Sequence, residues 1–272
     1  MPCRPFLPAL LISLLSCLWL PIPAAAGPGL TIGAGPEPGQ QLLAELTALL
    51  LNKEGINAAI RQATSVSDLP SQLRSGEIDL CFVPMAAGQE PADLALAPMP
   101  PLPFAAGPVL LMRQQQAREL AIRTVSDLAA TIDNTPAPFR FGGIAGDPAA
   151  RLAAAYDLHP AGIGNEYPPD LLYLAVKSDR LDVAMGVADD GRIVAYRLAV
   201  LVDDRQALPT VAMVPLTRAA LLAGRSEITA LLARLTDHLD QEAMQRLHSA
   251  VVVAHRRPRP VAEEWLRRIG LL

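Results

Sequence analysis

The sequence predicts an α/β protein of two similarly built lobes, with mostly parallel sheets flanked by helices and a ligand cleft between the lobes. One observation is a helix-to-strand joint that occurs twice, as LRSGEIDLCFVP over 73–84 and VKSDRLDVAMGV over 176–187. Each copy runs from a polar helix exit through Ile or Leu and an aspartate into a buried stretch. Another is the order strand, helix, strand, helix, strand between Leu30 and Val83, which a parallel sheet with helices on its faces requires. The third is a pair of apolar, proline-marked crossings near 108–113 and 209–213. They divide the chain into one lobe of 27–110 with 210–272 and a second of 111–209. Two crossings make a hinge able to clamp a solute in the cleft.

The elements follow in order. LTIGA over 30–34 is a first strand, followed by a glycine- and proline-rich turn over 33–39. Leu42, Leu43, Leu46, Leu49 and Leu50 trace one face of a helix over 40–53, closed by Gly55. A strand over 56–61 leads to Ser67 or Asp68, either able to cap the helix that stops at Ser75-Gly76. The first joint strand ends at Val83, and the prolines crowding 84–108 exclude a helix of any length there. Past the connecting strand over 109–112, a helix starts at Thr124, a strand covers 139–143, and an alanine-rich helix covers 148–156. Loop or strand over 163–169 reaches the second joint, a helix over 171–176 and a strand over 182–187. Its turn, Asp189-Asp190-Gly191-Arg192, lies where open α/β sheets bind ligands, and a further apolar segment spans 193–201. A strand over 211–214 and helices over 217–222, 228–239, 240–247 and 261–269 finish the chain.

Composition narrows the function. Charged residues make up 18% and the net charge is −4, so nothing draws the chain to nucleic acid. The first 26 residues read as a signal peptide: Arg4, an apolar core, and Ala24-Ala25-Ala26 as the cleavage site. A rival cut would make Cys17 a lipidated N-terminus. After removal of the signal only Cys81 remains, flanked by Leu80 and Phe82 in a core strand, so no internal disulfide is expected. No G-x-S-x-G, H-E-x-x-H or Cys/His cluster occurs, and the four histidines are scattered. Neither catalysis nor a cofactor or metal is expected.

The chain resembles the substrate-binding proteins of ABC importers for glycine betaine, choline and related osmoprotectants. The likeness runs through Ile32-Gly33, LRSGEIDL at 73–80, Pro103-Phe104, TVSDLA at 124–129, the Tyr156 region, DDGRI at 189–193 and MQRL at 244–247. It implies a type II-like periplasmic-binding-protein fold and a monomeric periplasmic receptor. Such a receptor delivers a small polar solute to an inner-membrane ABC permease. The alternative is a ligand-sensing or ligand-less periplasmic protein that kept the fold alone.

The resemblance also implies an aromatic cage around a trimethylammonium head, and here the chain departs from it. Positions usually aromatic fall on Pro84, on Pro108 and near Val187, while Ala106 and Gly107 replace the usual asparagine and threonine. Aromatic residues total 4%, too few to supply a cage readily. Tyr173 falls where the family carries a tyrosine on its ligand-loop helix. Phe82, Phe104 and Tyr167 stand as core, rim or relocated cage. Thr64 and Ser65 match a donor loop, Glu166 and Asp189 can meet an amine, and Met85 offers soft adaptable surface. The expectation is weak binding of glycine betaine. A solute combining an apolar portion with a hydroxyl, carboxylate or primary amine suits these residues better.

Overall fold

The computed structural model describes residues 29–91, 93–135, 138–144, 146–158 and 167–272. The signal segment 1–26 and Glu166 lie outside these described residues. From the N-terminus, β1 (Leu30–Ala34) leads to α1 (Pro38–Lys53), β2 (Ala58–Gln62), α2 (Leu69–Ser75) and β3 (Leu80–Ala86). A short β4 (Leu96–Pro98) precedes β5 (Pro108–Arg113), which enters a second sheet. There follow α3 (Gln114–Glu119), α4 (Val125–Asp133), β6 (Phe141–Gly142), α5 (Gly146–Tyr156), α6 (Pro169–Lys177) and β7 (Val183–Val187). A single helical turn, α7 (Arg192–Ala195), and β8 (Leu198–Val200) complete that side, and β9 (Val211–Arg218) returns to the first sheet. The chain closes with α8 (Ala219–Gly224), α9 (Ser226–Thr236), α10 (Gln241–Val252) and α11 (Pro258–Arg268).

The fold is a two-lobed α/β arrangement around two sheets, ordered β2-β1-β3-β9-β4 and β6-β7-β5-β8. Both sheets are mixed, which corrects the expectation of mostly parallel ones. β1 pairs parallel with β2 and β3, and β6 with β7. The crossing strands β5 and β9 run antiparallel to every strand they pair with. Each arrives from the opposite lobe, and that reverses its direction.

Local sequence explains the helices that matter for the site. α1 begins at Pro38, whose fixed φ suits the first turn and whose missing N–H would have found no intrahelical partner there. Leu42, Leu43, Leu46 and Leu50 are fully buried in a core shared with β1, β3, α9, α10 and α11. α4 starts on a capping box between Thr124 and Asp127. The segment over 193–201 is one turn of helix followed by a short strand, not a continuous run.

The repeated joint holds equivalent places in the two sheets. β3 lies between parallel β1 and the antiparallel crossing strand β9, and β7 lies between parallel β6 and the antiparallel crossing strand β5. The aspartate before each strand accepts a backbone N–H from the parallel side, Asp79 from Thr31 at 2.8 Å and Asp182 from Arg140 at 2.9 Å. Each also pairs with the arginine ending the crossing strand, Asp79 with Arg218 and Asp182 with Arg113. Those arginines repeat one another. Arg113 Nη1 donates to the carbonyls of Val176 and Leu181 at 3.0 and 2.9 Å. Arg218 Nη1 donates to Leu73 and Ile78 at 3.2 and 2.6 Å. Each clasp thus ties helix end, strand start and crossing strand into one unit.

Candidate functional site

The two joints deliver their strand ends to one place. Pro84 and Val187 stand at the same offset past the clasp aspartates (79 to 84, 182 to 187) and line a common cavity of about 470 Å³. Proline is tolerated in β3 because β1 pairs only with Leu80 and Cys81, leaving that flank of the strand without a partner further on. The first-sheet side contributes Glu37, Pro38, Gly39 and Gln40 at the start of α1, with Val66, Ala106 and Met213. The other side contributes Asp189, Asp190 and Arg192, and α10 closes the wall with His248 and Val252. The surface is mainly apolar, and no Phe, Tyr or Trp among the described residues lines it. Pro84, Ala106 and Val187 occupy it instead.

The polar groups of the wall differ sharply in how well they are satisfied. Asp190 accepts from the Arg192 backbone at 2.8 Å and its guanidinium at 2.9 Å. It also receives the Tyr173 hydroxyl, which in turn accepts the Val187 N–H at 2.9 Å. Burial and the Asp190 charge push the Tyr173 hydroxyl well above the usual phenol range, so it stays protonated and donates. Asp189 has weaker support, a hydrogen bond from its own backbone N–H that burial outweighs. Burial, with the neighbouring Asp190 charge adding to it, raises its carboxyl to about 6.

The turn carrying these acids is docked on α10. Gln241 and Gln245 both donate to the Ala188 carbonyl, at 2.8 and 2.7 Å. Gly191 approaches so closely that a Cβ there would lie 2.0 Å from the Ser249 nitrogen. Its N–H donates to His248 Nδ1 at 2.9 Å, which places the imidazole proton on Nε2. Burial, against the opposing pull of Asp190, lowers the His248 pKa and favours this neutral form.

Among the residues singled out in the sequence, Asp189 lines the cavity and Tyr173 braces it from behind. Phe82 and Phe104 are buried in the core beside α1, and Met85 in the core beneath α2; none of them lines the cavity. Thr64 is exposed and donates to Asp68, while Ser65 caps the short turn before α2; only their neighbour Val66 reaches the cavity. Tyr167 packs near Leu171 and Leu174 of α6, apart from the cavity. Glu166 lies outside the described residues. Cys81 is fully buried and its thiol is pushed up to about 12 by burial, which leaves it inert. Gln40, Met213, His248 and Val252 escaped sequence reasoning. The one available signal was the polar row Gln241, Gln245 and His248 on the face of α10 away from Leu247.

Residues 28–268 match the model of the substrate-binding domain of ABC-type glycine betaine transport systems. The chain belongs to this family. The family is one of solute-binding proteins, not enzymes. A glycine-betaine-binding protein of Pseudomonas aeruginosa is 26% identical over 275 residues, spanning 89% of this chain and 88% of that protein. The carnitine transport binding protein OpuCC of Listeria monocytogenes is 30% identical over 177 residues, 61% of this chain but only 54% of its own length. Among solved structures, that of a glycine betaine/carnitine/choline ABC transporter superposes with a TM-score of 0.79 at 23% identity, covering 89% of this chain and 99% of that one. Apo YehZ from Escherichia coli gives 0.76 at 18%, covering 90% and 99%. These superpositions show that the two-lobed fold extends across nearly the whole described chain.

Proposed function

We propose that this family member is an extracytoplasmic receptor that hands a small polar solute to an ABC permease, and that its ligand is not glycine betaine or choline. The supporting observation is the cavity wall. Its relatives are described as binding glycine betaine or carnitine, whose quaternary cations carry no N–H and are well recognised by ring faces. Here Pro84, Ala106 and Val187 line the cavity, and no aromatic ring among the described residues does. Each desolvated cation–π contact is worth about 2 kcal/mol, so loss of several removes orders of magnitude in affinity. Export rests on the signal segment, with cleavage after Ala26 and a mature start at Gly27; a mass spectrum showing a lipidated Cys17 N-terminus would overturn that part. Calorimetry against glycine betaine, choline, carnitine, amino acids and small organic acids tests the ligand. Weak or absent binding of the quaternary compounds is expected, and micromolar or tighter binding of glycine betaine would defeat the reading.

A further inference from the structure

Resting on that receptor reading, we infer that the cavity selects a cation bearing at least one N–H, a protonated amine with an apolar portion, and that Asp189 is its counter-ion. Asp189 lies in a largely apolar wall, and no Lys, Arg or His among the described residues forms an ion pair with it. Its neighbour Asp190 is occupied by Arg192 and Tyr173 and adds repulsion. An ionised carboxylate placed there costs free energy until a cation arrives.

The opposite wall has a matching deficit. Gln40 is 4% exposed, and its Nε2 faces Met213 Sδ at 3.5 Å. A thioether accepts but does not donate, so this orientation is the chemically consistent one, and it leaves Gln40 Oε1 without a donor. The terminal torsion of glutamine is soft, and a donor entering the cavity can draw the oxygen toward it. Each wall therefore presents an acceptor that a donor on the solute could serve, Asp189 on one side and Gln40 Oε1 on the other.

The charge of the wall points the same way. Glu37 and Asp189 are acidic, Arg192 is bonded to Asp190, and His248 is neutral with its Nδ1 engaged by Gly191. A quaternary ammonium sheathes its charge in methyl groups and can supply no donor to Asp189 or Gln40. An ammonium N–H forms a short charge-assisted bond to a carboxylate, about twice as strong as a neutral one.

The test is calorimetry at pH 7.5 with two methylation series. One runs from 2-aminoethanol through its mono- and dimethyl derivatives to choline. The other runs from n-butylamine through N,N-dimethylbutylamine to butyltrimethylammonium. Affinity should fall at least tenfold at the last methylation in each series, the step that removes the final N–H. Asp189→Asn should abolish that step by weakening the amines at least tenfold. Should that variant fail to fold, wild-type protein at pH 6 in buffers of different ionisation enthalpy gives an independent readout. Amine binding there should release a proton, because Asp189 must ionise to pair.

Quaternary members binding as tightly as their tertiary parents would overturn the inference, and micromolar binding of choline would overturn the receptor's ligand reading with it. Binding of neutral or anionic solutes from the broad panel, with no amine bound, would sink the inference and leave the receptor standing. No binding by any class would remove both.

Discussion

Asp189 has opposite effects on binding and on folding. A carboxyl raised in the folded state binds its proton more tightly there than in the unfolded chain. Its contribution therefore favours folding as pH falls through 6 toward 3.8, and disfavours it above 6. The rise from 3.8 to about 6 corresponds at most to about 3 kcal/mol at about 1.36 kcal/mol per unit. Asp189→Asn should thus stabilise the ligand-free protein by up to that amount at pH 8 and by almost nothing at pH 4. Thermal melts across this range check it, and equal stability at pH 8 would mean that the carboxylate is already compensated. His248 acts in the other direction: its lowered pKa means that its contribution is lost as pH falls below 6.5. The difference between wild type and Asn variant isolates Asp189 from that effect. A second residue-scale test is Gly191→Ala, whose Cβ would collide with the α10 backbone. Such overpacking should cost about 1–3 kcal/mol, read as a lowered Tm. Asp189 was legible in sequence because it sits in the turn beside its own strand. Gln40 was not, since its neighbour Met213 is 173 positions away.

At the scale of elements, the two clasps resemble each other in geometry but differ in redundancy. Asp182 keeps Arg140 and Gln116 as partners when Arg113 is removed, at 2.8 and 3.0 Å. Among the described residues, Asp79 keeps only the Thr31 N–H once Arg218 is gone. Arg218→Ala should therefore destabilise more than Arg113→Ala, about 3–4 against about 1–3 kcal/mol, since it strands a half-buried carboxylate as well as two carbonyls. Urea unfolding of the two variants measures the order, and the reverse order would refute the account. Burial raises the Asp182 carboxyl, but hydrogen bonds from Arg140 outweigh it and hold the group well below the usual range. The stability this clasp gives is fully present above pH 4 and is lost as acid titrates the carboxylate. The joints could be read from sequence because helix exit, aspartate and buried run are contiguous. The antiparallel course of β5 and β9 could not, because strand direction depends on which lobe the chain arrives from. Nor could α7, whose four residues are too few for periodicity to separate helix from strand.

The whole molecule is joined through α10 as well as through its crossings. Met244 and Leu247 anchor that helix in the core with α1, while Gln241, Gln245 and His248 reach across to Ala188 and Gly191 of the second lobe. The Ala188 N–H meanwhile donates to the Gly107 carbonyl at 2.9 Å, tying the same turn to the first crossing. We propose the crossings near 108–113 and 209–213 as the hinge, so that opening the cleft must carry the acidic turn away from α10. Replacing Gln241 and Gln245 together by alanine removes both donors to the Ala188 carbonyl. Each buried acceptor left unpaired costs about 1–3 kcal/mol, and opening to water relieves that cost. The double variant should then populate open forms more than wild type does. Hydrogen exchange should quicken at the amides of Ala188 and Gly191, and solution scattering should report a larger radius of gyration for the ligand-free protein. A bound solute that bridges Asp189 and Gln40 should restore compactness in both proteins, at a higher concentration for the variant because part of its binding energy goes into closing the cleft. Unchanged exchange at Gly191 in the double variant would show that α10 does not hold the lobes together.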